Sequence, residues 1–113
     1  MLFRSGPGAE ARFKSPKGLA VDRNGTIYVA DSGNQTIRCI SPDGQVSTFA
    51  GKPGKRGIVD GQGTAARLDR PTSMAIDSSG TLYVVNGEDS RIRKISPEGV
   101  VSTMNAQQFI QTP

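Results

Sequence analysis

The sequence predicts an all-β chain built from two copies of one four-stranded antiparallel unit, and three observations predict it. Residues 11–50, moved by 55 positions, fall on residues 66–105 without a gap, and 18 of the 40 pairs are identical. Among them are Pro16 with Pro71, Asp22 with Asp77, Gly25 with Gly80 and Tyr28 with Tyr83, and Ile40-Ser41-Pro42 returns as Ile95-Ser96-Pro97. A register held that long marks a duplicated structural unit. Second, 14 Gly and 7 Pro in 113 residues spread turns along the chain, which suits short strands better than long helices. Third, apolar residues make up only 35% and there is no Trp, lean for a self-sufficient globule and compatible with thin repeated sheets.

The elements follow in order. The first strand is expected at 18–22, with Leu19 and Val21 on one face and Ala20 on the other. Arg23-Asn24-Gly25 places an Asn-Gly pair between two β-prone runs, a hairpin signal because both residues tolerate positive φ; Ser79-Gly80 stands there in the second copy. The second strand, 26–30, is apolar on both faces, as expected of a strand covered on both sides. Asp31-Ser32-Gly33-Asn34 reads as a turn, since Asp and Asn bond their own backbone. The third strand is 36–40, and Ser41-Pro42-Asp43-Gly44 reads as a type I turn. The fourth, 45–50, is rich in Ser and Thr and is placed at an exposed edge. The second copy repeats these strands at 73–77, 81–85, 91–95 and 100–104. Around the two repeats, 11–50 and 66–105, lie an N-terminal loop segment (1–10), a Gly-rich connection (51–65) and a polar tail (106–113). The connection, running on to Arg70, is too polar for a core and allows a helical turn at 65–68 at most.

Charge and cysteine content exclude some classes. The net charge of +4 permits an acidic or nucleic-acid partner without demanding one. A single cysteine, Cys39, excludes an intrachain disulfide; its repeat counterpart is Lys94, so it reads as a small, partly buried strand residue. The first eight residues lack the apolar core of a signal peptide, and no apolar run approaches the ~18 residues of a membrane span. A soluble chain with no membrane partner is expected, cytoplasmic if the chain is complete.

Each copy is thus a meander of four short strands joined by tight turns, which is the form of a propeller blade. The pattern Pro16-Lys17-Gly18-Leu19-Ala20-Val21-Asp22, then Gly25-Thr26-Ile27-Tyr28-Val29-Ala30-Asp31-Ser32-Gly33-Asn34, then Ile37-Arg38-Cys39-Ile40, resembles an NHL repeat. Asp60-Gly61-Gln62-Gly63-Thr64-Ala65-Ala66-Arg67-Leu68, leading to Pro71, resembles the long-loop form of multi-repeat NHL proteins. The resemblance covers residues 11–105. The second copy departs from it where Asn86-Gly87-Glu88-Asp89 replaces Asp31-Ser32-Gly33-Asn34 and Thr72-Ser73 replaces Lys17-Gly18. It implies a six-bladed or five-bladed propeller, mainly non-catalytic, that binds proteins or RNA, with some enzymatic relatives. Two blades are an incomplete propeller, because repeat units cannot bury their faces alone. Either chains associate head to tail, three giving six blades, or the missing blades lie elsewhere.

The absence of His removes a Ser-His-Asp triad and His-ligated zinc, and speaks against the amidating-lyase relatives, which depend on His. The calcium-dependent lactonase and esterase propellers use Asp, Asn and Glu, so Asp22, Asp31, Asp60 and Asp77 are the acids to follow. Asp22 and Asp77 are expected to cap turns, and the glycine-rich Asp60-Gly61-Gln62-Gly63, with no GK[ST] after it, reads as turn chemistry rather than a phosphate cradle. No catalytic residue, metal or cofactor is assigned. The candidate binding surface is cationic: Arg12, Lys14, Lys17, Lys52, Lys55, Arg56, Arg67 and Arg70 fall in the two inter-blade segments, with Arg4, against only Glu10, Asp60 and Asp69. In a propeller those segments share a face with the turn between strands two and three. NHL relatives use that face for single-stranded RNA or acidic partners, although only Phe3 and Phe13 accompany the charges as possible stacking rings. The expected role is protein–protein interaction, with RNA as the alternative ligand and a calcium-dependent hydrolase as the third.

Overall fold

The computed structural model of the chain describes residues 6–7, 13–86 and 91–105. Its strands are β1 (Gly6–Pro7), β2 (Pro16–Val21), β3 (Ile27–Asp31), β4 (Thr36–Ile40), β5 (Gln45–Gly51), β6 (Gly61–Gln62), β7 (Pro71–Ile76), β8 (Leu82–Asn86), β9 (Arg91–Ile95) and β10 (Val100–Asn105). They form two antiparallel sheets of the same order, β1-β5-β4-β3-β2 and β6-β10-β9-β8-β7. Each is the expected meander with a two-residue strand added outside. The fourth strands are therefore not bare edges: Gly6–Pro7 pairs with Val46 and Gln45, and Gly61–Gln62 with Val101 and Val100. Unpaired edge groups invite foreign pairing, and the arm leading into each blade covers part of that edge.

The hairpins explain the recurring glycines. Asp22, Ser41, Asp77 and Ser96 each accept, at their carbonyl, the N–H of a glycine three residues on: Gly25, Gly44, Gly80 and Gly99. All four glycines have φ between 88° and 91°, a left-handed conformation that costs other residues. Asn24 does not share it, so the Asn-Gly pair makes a type I turn closed by a left-handed glycine rather than a turn with two positive φ angles. Both arms enter their blades the same way. Ser15 and Arg70, repeat counterparts, have φ of 57° and 45° immediately before Pro16 and Pro71. A register shift follows in each, between Pro16 and Gly18 and between Pro71 and Ser73. The first strands start at these prolines, two residues earlier than expected, because proline is tolerated at a strand's first position.

One core joins the two sheets. From the first come Ala20, Tyr28, Ala30, Ile37 and Ala50; from the second, Leu82, Val84, Ile95 and Val101, with Met74 and Ile76 against them. Each set lies cross-strand on one face, as in Ala20 opposite Tyr28, Ala30 opposite Ile37, Ile76 opposite Leu82 and Leu82 opposite Ile95. A bulge at Phe49 also turns that ring toward the core, where it meets Tyr28 edge-on at 5.0 Å. The connection, expected to be too polar for a core, contributes to this one. After a 3-10 turn at Gly63–Ala65, placed earlier than residues 65–68, Ala66 and Leu68 are fully buried; their alternation puts both on one side.

Small residues let the sheets meet closely. A Cβ added at Gly18 would stand 2.5 Å from the Thr72 carbonyl oxygen and 3.3 Å from the Ser73 Cα. Gly18→Ala must push the blades apart and is expected to cost about 1–3 kcal/mol. Urea unfolding of the variant reads this as a lowered midpoint at unchanged slope; an unchanged midpoint would mean that the blades do not pack through this contact.

Candidate functional site

The polar end of the first blade is organised by the turn after β3. Asp31 ends the strand fully buried, a 3-10 turn spans Ser32–Asn34, and Gln35 follows in a left-handed conformation at φ 63°. Three separate segments grip it. The Lys14 carbonyl accepts the Gly33 N–H at 2.8 Å, while the Lys14 N–H donates to the Asp31 carboxylate at 2.7 Å. The Asn34 carbonyl accepts the Gly54 N–H at 3.1 Å. The Gln35 side-chain oxygen accepts the Arg70 N–H at 2.6 Å. Gly33 is required, since a Cβ there would lie 2.4 Å from the Lys14 oxygen. A buried carboxylate needs such donors: Asn34 Nδ2 reaches Asp31 at 3.0 Å, and the Arg38 guanidinium, itself without exposure, stands 3.8 Å away. Burial lowers the Arg38 pKa, Asp31 pulls it back up, and its guanidinium lies 5.3 Å over the Phe13 ring.

These contacts bring Lys14, the turn at 52–55 and Arg70 to one site. Lys14, Lys17, Lys52 and Lys55 are exposed. The arginines are differently employed. Arg56 and Arg70 share Asp69 at 2.9 and 3.2 Å, and the Arg56 hydrogen bond, more than Arg70, holds that carboxyl below its ordinary pKa. Arg67 folds back onto the Thr64 and Ala66 carbonyls. Arg12, Arg4, Glu10 and Phe3 lie outside the described residues. The organising residues of the site, Gly33 and Gln35, carry no charge, which is why a search for cations passed them over; the polar run Ser32 to Gln35 between two apolar strands was the available signal.

The acids are committed to structure. Asp22 accepts the Asn24 and Thr26 N–H groups at 2.9 and 3.0 Å, and Asp77 those of Ser79 and Thr81 at 3.0 Å each. The Ser79 hydroxyl depresses the Asp77 pKa most. The two turns border a cleft of about 430 Å³ between the blades, lined also by Val21, Tyr28 and Ile76. Asp60 does more than shape a turn: it accepts the Thr103 hydroxyl at 2.6 Å and Arg93 at 3.3 Å, tying the connection to the second blade. Among the described residues no group of three or more His, Cys, Asp or Glu converges.

The NHL repeat family model matches residues 13–40. SUPPRESSOR OF QUENCHING 1, a chloroplastic protein of Arabidopsis thaliana, is 38% identical over 91 residues, which cover 80% of this chain and 8% of that protein. NHL repeat-containing protein 2 of Bos taurus is 33% identical over 102 residues, covering 79% of this chain and 14% of that one. A solved structure of a Bacteroides thetaiotaomicron protein of unknown function superposes with a TM-score of 0.72 at 24% identity, over 91% of this chain and 24% of that one. The structural neighbours are β-propellers. This chain spans a small part of each.

The Asp69 pair sets a pH dependence. Its folded pKa lies below the ordinary 3.8, so the stability it contributes is present above that value and is lost as pH falls through the folded value. Asp69→Asn is expected to lose about 0.5–1 kcal/mol at neutral pH and to converge on the parent stability once the pH has fallen through the depressed folded value of the carboxyl. Urea unfolding at both pH values checks this; a difference that does not shrink in acid contradicts it.

Proposed function

The chain belongs to the NHL-repeat β-propellers, and from that premise we propose that it is a non-catalytic binding segment whose lysine-bearing loop face meets an acidic surface on a partner protein. The observation that carries this reading is the turn at Ser32–Asn34, which gathers the Lys14 arm and the Lys52-Pro53-Gly54-Lys55 turn by backbone hydrogen bonds. Lysines on such a frame need little further ordering on binding. Exposed charges of one sign steer encounter and make affinity salt-dependent. Asp69 offsets part of the charge of Arg56 and Arg70, so the four exposed lysines carry most of the charge of this face.

RNA is the weaker reading, because the one described ring beside the charges, Phe13, lies under Arg38. Single strands usually gain much of their affinity by stacking on free rings. A hydrolase using Asp22 and Asp77 would draw on carboxylates whose Oδ1 atoms each already accept two turn N–H groups.

The test compares an acidic peptide, poly-glutamate, with poly(U), each titrated at low and at physiological salt. The peptide is expected to bind more tightly and to weaken with salt. Replacing Lys14, Lys17, Lys52 and Lys55 by Glu should weaken it by about tenfold or more, since each exposed charge contributes a few tenths of a kcal/mol. Undiminished binding by that variant, or tighter binding of poly(U), overturns the reading.

A further inference from the structure

Asn24 is exposed and stands immediately before Gly25, also exposed, at the rim of the cleft of about 430 Å³ between the blades. A backbone nitrogen that follows an asparagine can attack the side-chain amide carbon and close a cyclic imide. Glycine hinders that closure least, since it has no Cβ and its backbone rotates freely. Asn34, by contrast, is buried, donates to Asp31 at 3.0 Å and is followed by Gln35. Asn86 is half-buried and donates to the Asp69 carbonyl at 3.1 Å. The second copy has Ser79 where the first has Asn24, and a hydroxyl cannot close an imide. The turn around Asn24 opposes the reaction. The Gly25 N–H donates to the Asp22 carbonyl at 3.1 Å, and Asp22 Oδ1 accepts the Asn24 and Thr26 N–H groups at 2.9 and 3.0 Å. To reach the Asn24 amide carbon, the Gly25 nitrogen must lose its proton and turn away from Asp22. The hydrogen bond that closes the hairpin then has to break.

We propose that Asn24 is a site of spontaneous covalent modification, to aspartate and isoaspartate, and that the Asp22 turn gates it. When the turn opens, hydroxide takes the Gly25 amide proton, the nitrogen bonds to Asn24 Cγ, and the bond from Cγ to Nδ2 breaks with release of ammonia. One water then opens the imide. Cleavage between Cγ and the Gly25 nitrogen leaves aspartate. Cleavage between the Asn24 backbone carbonyl carbon and that nitrogen leaves isoaspartate, with the chain running through Cγ. Both products add a negative charge two residues from Asp22. Isoaspartate also lengthens the backbone by one methylene, inside a turn whose two N–H groups converge on one carboxylate oxygen. That product cannot re-form the bracket, so the change holds the hairpin open and alters this rim of the cleft. The site lies where Val21 faces Ile27, at the other end of β2 from Pro16 and the lysine-bearing loops, and the reaction needs no partner.

Peptide mass mapping and isoaspartyl methyltransferase labelling of the full chain, held at mildly alkaline pH, test the proposal. Asn24 is read separately from Asn86, which also precedes a glycine. Asn24 is expected to convert to both products, at least about tenfold more slowly in native buffer than in urea, because opening the hairpin costs free energy. Asp22→Ala removes the acceptor of two turn N–H groups. It should speed conversion in native buffer by about tenfold and leave the rate in urea nearly unchanged. Asp77→Ala makes the same loss in the second hairpin and should leave the Asn24 rate unchanged, which separates a local gate from a general loss of stability. Asn24→Ser should keep the hairpin and abolish labelling of this peptide. An unfolded chain without isoaspartate at Asn24, or labelling that survives Asn24→Ser, overturns the site. A native rate equal to that in urea, an Asp22→Ala chain no faster than the parent, or equal acceleration by Asp22→Ala and Asp77→Ala overturns the gate.

Discussion

The rest of the structure depends on the approach of one sheet to the other. A four-stranded meander has two apolar faces and nothing in its own chain length to cover them, and burial of apolar area is the largest favourable term available to it. The first blade therefore presents small side chains, Gly18, Ala20 and Ala30, where the second presents larger ones, Met74, Ile76 and Leu82. Small against large allows backbone to come near backbone. The aromatic pair Tyr28 and Phe49 packs edge-on within the layer, and Leu68 enters from the connection.

Two arginines buried beside this layer, Arg38 and Arg93, meet the connecting arms, which links packing to the loop face. Arg93 holds the second arm through the Arg67 and Val59 carbonyls at 2.8 and 3.0 Å; its counterpart Arg38 stands against Phe13 of the first. The same junction is built with opposite polarity in the two blades. Asp31 accepts from the N–H of Lys14, whereas Asn86, its counterpart, donates from Nδ2 to the carbonyl of Asp69, the counterpart of Lys14. A carboxylate can only accept and an amide can do both, so the exchange of Asp for Asn follows which backbone group each arm turns toward its blade.

The meander was legible in the sequence because its determinants are local: strand patterning, and glycine at the one left-handed position of each hairpin. The third strand of each copy has the bounds that its pattern indicates. The resemblance to NHL repeats supplied the arrangement of blades. What could not be read was long-range. Nothing in Gly6–Pro7 or Gly61–Gln62 marks them as strands, since two residues carry no period and pair only because a blade edge lies beside them. Ala66 and Leu68 were lost in a polar run, where burial is decided by the neighbouring sheets rather than by local composition. The cations were visible, but their salt-bridge partners were not: that Asp69 pairs with both Arg56 and Arg70 depends on the fold of residues 56–70.

The two copies differ on the loop face and on the matching faces of the two sheets. At the hairpins and in the covered layer, the copies keep the same residue or its size class: Asp22 and Asp77, Gly25 and Gly80, Ile27 and Leu82, Ile40 and Ile95. They part at Lys14 and Asp69, at Gly18 and Ser73, and at Cys39 and Lys94. The first of these pairs decides the charge of the loop face. An acid in the second arm pairs with two arginines and offsets one of their two charges, and a lysine in the first leaves its charge exposed beside the turn at Ser32–Asn34. The other two pairs lie on matching faces of the two sheets. Gly18 and Cys39 lie on the covered face of the first sheet, while Ser73 and Lys94 lie on the open face of the second. A duplicated blade needs its shared residues to fold and its differing residues to be addressed from outside, and the side chains that distinguish these copies stand on the loop face and on the outer sheet.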